Sequence, residues 1–157
     1  MISRMKTFEE LPAHSRVWVY QASRQLKVTE VKRVEELTAG FITEWTSHGK
    51  IMDASIRVYH DLFIVIAVDE KSAPASGCGI DKSVHFVKSL ETEFNIKLLD
   101  RTVVAYRENG GIKLCPIADL SKLPASAIIF NNLVSSKAEL ESSWEQKAGE
   151  SWVSRFL

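Results

Sequence analysis

Leu62-Phe63-Ile64-Val65-Ile66-Ala67-Val68 decides the fold. None of these residues is polar, so a strand built from them must bury both faces and belongs at the centre of a sheet. The run is also too short to span a bilayer. Just upstream, Ala54 to Tyr59 alternates Ile56 and Val58 with Arg57 and Tyr59, as an edge strand does when one side meets water. The two segments read as strands joined tightly through His60-Asp61.

Working outward, Arg16-Val17-Trp18-Val19-Tyr20-Gln21 is rich in β-branched and aromatic residues and reads as a first strand. Thr29 is placed to cap a helix that carries Val31, Val34, Leu37, Phe41 and Trp45 on one face, with Gly49 as its stop. Pro74 and small residues mark Lys71 to Gly79 as a loop. A second helix follows from about Ile80 to Asn95, its buried stripe being Ile80, Val84, Val87, Leu90 and Phe94. Thr102 to Arg107 and Ile112 to Cys115 form a hairpin around Asn109-Gly110.

Strand, helix, strand, strand, helix, strand is the split βαβ order, which predicts an α+β fold with a ferredoxin-like βαββαβ core. In that core the first and third strands are central. Both helices then cover one face of the sheet. Trp18, Tyr20, Tyr59 and Tyr106 are expected on the other, an aromatic surface that needs a cover. The C-terminal extension offers one, with a hairpin or strand at Ala127 to Phe130, a helical tail from Ser136 to Gln146 that holds Leu140 and Trp144, and an apolar end of Trp152, Val153 and Phe156. A second subunit or a ligand are the other candidate covers, and the former makes a homodimer a secondary expectation. Residues 1–157 read as one domain, with Met1 to His14 as a loosely ordered leader in which Met1 and Met5 both qualify as the start.

Composition narrows the classes of function. The chain is 45% hydrophobic and 25% charged, and its twenty basic residues balance twenty acidic ones. Zero net charge argues against a protein that wraps nucleic acid or lies on anionic lipid, so neither nucleic acid nor membrane is expected as a partner. Cys78 and Cys115 are too few for a disulfide framework. No signal peptide is visible, which makes the cytoplasm the expected location. His14, His48, His60 and His85 show no metal-ligand spacing, and neither a metal nor a cofactor is expected. His60 beside Asp61 reads equally well as an acid–base pair or as a turn. Arg57 and Arg107 sit in strands, each placed to stack on an aromatic ring, hold an anion or pair with a carboxylate.

Ser76-Gly77-Cys78-Gly79-Ile80-Asp81-Lys82-Ser83 is the one local cluster that suggests chemistry. A glycine-flanked cysteine precedes a helix start, where unpaired backbone N–H groups carry partial positive charge. One reading is a thiolate nucleophile or redox-sensitive site at Cys78, with Lys82 adding charge. A second is a cradle for a small anion built from Ser76, Gly77, Cys78, Gly79, Lys82 and Ser83, with Arg107 contributing. A third is ordinary packing and capping. A nucleotide loop of the Walker type is rejected, because Asp81 stands where that pattern needs glycine before Lys-Ser.

Three segments together resemble a family of short uncharacterised bacterial proteins. They are Ser15 to Gln21, Ala75 to Phe86 and Ser151 to Phe156. Some members carry the label "ABC transporter ATPase", which these residues do not support. The resemblance implies no activity. The leading expectation is a non-catalytic module that binds a small anionic ligand or a protein partner through Ser76 to Lys82. The alternative is a thiol-dependent enzyme using Cys78.

Overall fold

The computed structural model describes residues 6–47, 49–71 and 74–157. The apolar run forms a strand buried along its whole length (β5, Phe63–Asp69). It lies between β1 (Arg16–Gln21) and β4 (Asp53–Tyr59) and is antiparallel to both. Two helices follow their strands, α1 (Val28–Glu44) after β1 and α2 (Gly77–Phe94) after β5. A small ladder of β2 (Thr46–Ser47) and β3 (Lys50–Ile51) separates α1 from β4.

Residues directly opposite in an antiparallel ladder share a face. Tyr20, Ile64 and Val58 are in register, as are Trp18, Ile66 and Ile56. This face meets the helices, since Tyr20 stands against Ser83 of α2. Phe41 of α1 and Phe86 of α2 stack at 4.5 Å and bind the two helices to each other. The opposite face carries Val17, Val19 and Gln21 beside Phe63, Val65 and Ala67.

That second face packs on a second sheet. Its order is β7 (Gly111–Pro116), β6 (Val103–Glu108), β8 (Ile128–Phe130), β9 (Glu145–Lys147), with a short α3 (Lys137–Ser143) leading into β9. Phe63 of the first sheet meets Phe130 of the second and Trp144 at the end of α3 at 4.9 and 4.8 Å between ring centroids. The C-terminal segment therefore covers the face that needed a cover. Behind the second sheet, Val104, Cys115, Leu120, Ile129, Ala148 and Val153 form a separate buried cluster.

A chain of side-chain hydrogen bonds crosses the same interface. Trp144 Nε1 donates to Asn132 Oδ1 at 2.9 Å, Asn132 Nδ2 to Gln21 Oε1 at 3.0 Å, and Gln21 Nε2 to the Val103 carbonyl at 3.2 Å. Gln21 is only 8% exposed, so an unpaired amide there would be costly.

The structure corrects several expectations. The mixed α+β character holds, and the third strand is central as its composition requires. The expected fourth strand, however, does not dock on β1. Both of its edges are occupied by β7 and β8, and the outer edge of β1 meets residues 135–137 through a single bridge, Arg16 to Ser136. The first sheet is thus three strands with β1 at an edge, not a full ferredoxin-like sheet. Trp18 and Tyr20 face the helices; of the expected aromatics only Tyr59 lies on the covered face, where it meets Trp144 at 5.2 Å. Tyr106 packs against the outer cluster of the second sheet.

From residue 6 onward the leader packs against the fold. Phe8 and Leu11 are buried, and Lys137 reaches back from α3 to donate to the carbonyls of Glu9 and Leu11. Residues 1–5, with Met1 and Met5, lie outside the described residues. Helix α1 begins before Thr29 because Glu30 accepts the backbone N–H of Lys27 at 2.8 Å. It ends at Glu44, and Gly49 instead takes a positive φ of 79° in the turn after β2.

Trp144→Phe keeps the ring cluster but leaves the half-buried Asn132 Oδ1 without its Trp144 donor. The expected loss of stability is about 1–3 kcal/mol, read by urea unfolding with an unchanged slope. A loss no larger than that of an exposed Ser142→Ala control would show that the polar chain carries none of the inter-sheet stability.

Candidate functional site

The start of α2 is built as a packed joint. Ser76 is its N-cap, and Gly77, Cys78 and Gly79 are already helical. The loop that would wrap an anion in a Walker-type site is therefore absent at these glycines. The Ser76 and Ser47 hydroxyls share a hydrogen bond of 2.5 Å, and the Ser76 backbone N–H also points at Ser47 Oγ. Buried Trp45 donates its Nε1 to the Gly79 carbonyl at 2.8 Å. A methyl group on Gly79 would lie 3.2 Å from Ser47 Cβ, which is why glycine stands there. Gly77 has open space around it.

The two residues of the Lys-Ser pair point in different directions. Lys82 Nζ donates to the Thr46 carbonyl and to Thr46 Oγ1, both at 3.1 Å. Ser83 turns inward, where its hydroxyl donates to the Ile80 carbonyl at 2.6 Å. Lys82 thus ties α2 to the β2 ladder, while buried Ser83 bonds within α2 itself. Cys78 is exposed.

Arg107, grouped with this cluster in the sequence reading, stands in the second sheet. It pairs with Glu145 of β9 and lies 5.3 Å over the ring of Phe130. Arg57 behaves alike, pairing with Glu9 at 2.6 Å and lying 4.9 Å over Tyr59. The structure brings Ser76, Gly77, Cys78, Gly79, Lys82 and Ser83 together but leaves Arg107 engaged elsewhere.

His60 and Asp61 form the tight turn between β4 and β5, with φ of 56° and 53°. The His60 ring packs against Phe130 and Trp144, and partial burial together with the Arg107 charge holds its pKa below the usual imidazole value. His14 contacts Asp69 at 3.3 Å, and His85 is exposed on α2. His48 lies outside the described residues. Among the described residues no three His, Cys, Asp or Glu side chains group as a metal site, and no helix is long and apolar enough to cross a membrane.

A different feature has the form of a ligand site. Beside the end of β1 and the start of β6, a cavity of about 310 Å³ opens. Its apolar lining includes Val19, Leu98, Leu99, Val103, Phe130 and Phe156. Buried Gln21 and half-buried Asn132 supply amides in the wall, and exposed Arg101 and Arg155 stand at the mouth with Leu133, itself 60% exposed. Asp100 is the one carboxylate in the lining; its Oδ1 accepts from the backbone N–H and hydroxyl of Thr102, which hold its pKa below the ordinary value. Neither this cavity nor a more open one of about 490 Å³ beside Cys115 is lined by residues 76–83.

The sequence reading did not single out Leu98, Leu99, Asp100 or Arg101. The available signal was two leucines followed by a charged pair, in a stretch too irregular to be a strand or a helix face. Set against protein-family models, curated proteins and solved structures, the chain matches none of them.

Two measurements test the packed-joint description. Exposed Cys78 should react with a chromogenic disulfide reagent in the folded protein. Cys115, buried and with its thiol pKa pushed up by that burial, should react only on unfolding. Two thiols reacting at one rate would contradict this. Melting midpoints should also separate the glycines, with Gly77→Ala at or above the unmodified protein and Gly79→Ala below it by about 1 kcal/mol of stability.

Proposed function

We propose that the protein is a non-catalytic binding module for a small organic ligand, and that the ligand lies in the cavity between the two sheets. The start of α2 serves to fix that helix on the β2 ladder. The observation that carries this reading is the cavity itself. Ligand sites are concave and mostly apolar, hold a few placed polar groups, and have volumes from about 300 Å³ upward. The inter-sheet cavity meets each condition and is the more enclosed of the two described above. On this reading the three-stranded sheet with α1 and α2 is the split βαβ half of a ferredoxin-like core, and the place of its fourth strand is given over to the ligand and to residues 131–137.

The thiol reading of Cys78 draws on exposure alone and stands second. A Cys78→Ser variant that keeps ligand binding separates the two.

The neutral fluorophore N-phenyl-1-naphthylamine tests the cavity directly. It should bind with one saturable site, and Leu99→Trp, which fills the cavity from its half-buried wall, should weaken that binding at least tenfold while the fold is retained by circular dichroism. Equal binding by the parent and by Leu99→Trp would sink the proposal.

A further inference from the structure

We infer that the ligand of the inter-sheet cavity is an aromatic carboxylate, held with its rings between the sheets and its carboxylate at Arg101 and Arg155. The inference rests on the cavity being the binding site and adds the chemical class. Three observations carry it. The first is the lining: beside the ends of β1 and β6, Phe130 of the second sheet and Trp152 and Phe156 of the C-terminal segment bring aromatic side chains to the cavity wall. A flat body meets such walls with the offset and edge contacts that aromatic groups prefer.

The second is charge. Arg101 and Arg155 both line the cavity, and neither has an ion-pair partner among the described residues. The nine described pairs engage Arg16, Arg24, Arg33, Arg57 and Arg107, so Arg101 and Arg155 stand apart from the other described arginines. Arg155 lies 5.1 Å over the Phe156 ring, which leaves the edge of its guanidinium for an acceptor. Two guanidinium forks against the single carboxylate of Asp100 leave the lining one positive charge in excess, which suits a monoanion.

The third is the direction of the polarity. Charge stands at the exposed mouth, while the buried end is neutral: Gln21 and Asn132 each use one amide N–H within the polar chain and keep a second. The wall also contains Trp152, whose buried Nε1 has no acceptor among the described residues. The buried end can thus donate to a neutral acceptor such as a ring carbonyl or hydroxyl, and it offers nothing to a second charge.

Displacement of N-phenyl-1-naphthylamine by 2-naphthoate, 2-naphthalenemethanol and 2-naphthyl phosphate tests the class. The carboxylate should displace the probe at a concentration roughly tenfold or more below that of the neutral alcohol, and raised salt should shrink the gap. Arg101→Gln with Arg155→Gln should abolish the gap while probe binding stays intact. Arg33→Gln, on the exposed side of α1, should leave it unchanged. Equal displacement by carboxylate and alcohol, with the probe still binding in one saturable site, overturns the carboxylate class and leaves the cavity reading standing. A phosphate that outcompetes the carboxylate in a manner dependent on the two arginines likewise overturns it in favour of a dianion. Failure of the parent protein to bind the probe at all removes both.

Discussion

Burial of both faces of β5 is the constraint on which the structure depends. A strand of seven buried residues cannot be covered by one layer. The helices supply one cover over Ile64, Ile66 and Val68. The other has to come from the far end of the chain, and Phe63 marks where it docks, in ring contact with Phe130 and Trp144. Each buried aromatic side chain of this kind removes enough apolar area to be worth about 1.5–3 kcal/mol. The hydrogen-bond chain from Trp144 through Asn132 and Gln21 to Val103 adds direction to that attraction, because amides must meet their partners at defined angles. Apolar burial brings the sheets together, and the polar chain sets how they lie.

Much of this was legible in the sequence. The uninterrupted apolar run announced a central strand, and the helical periodicities and the Asn109-Gly110 turn were local signals that survived folding; the turn keeps φ of 51° and 78°. The need for a cover on the second face followed from counting faces, with the C-terminal segment as one of its candidates. Two things were not legible. Strand parity was one: Val17 and Val19 alternate with Trp18 and Tyr20, all of them apolar enough to be buried, so only the register with β5 decides which set meets the helices. The partner of Val103–Glu108 was the other. Its alternation fits either sheet, and the choice is made by residues 128–130, more than twenty positions downstream.

The candidate site shows the same division. A glycine-flanked cysteine before a helix is a conspicuous string, yet Gly79 serves a close approach to Ser47, Gly77 meets open space, and the lysine serves a backbone carbonyl. The cavity draws on residues 19–21, 98–104, 130–133 and 152–156, none of which forms a motif by itself. With Ile117 as well, a site assembled from five separated segments leaves no spacing pattern for sequence reading to find.

The bridge from Arg16 to Ser136 has a consequence for how the chain is made. The outer edge of β1 is synthesised early, and its partners at 135–137 emerge from the ribosome some 120 residues later. At about 5–20 residues per second, that edge waits many seconds with bare amides and carbonyls able to pair with any extended neighbour. The nascent protein is therefore most vulnerable to strand-mediated self-association while the first sheet is complete and the second is still being translated.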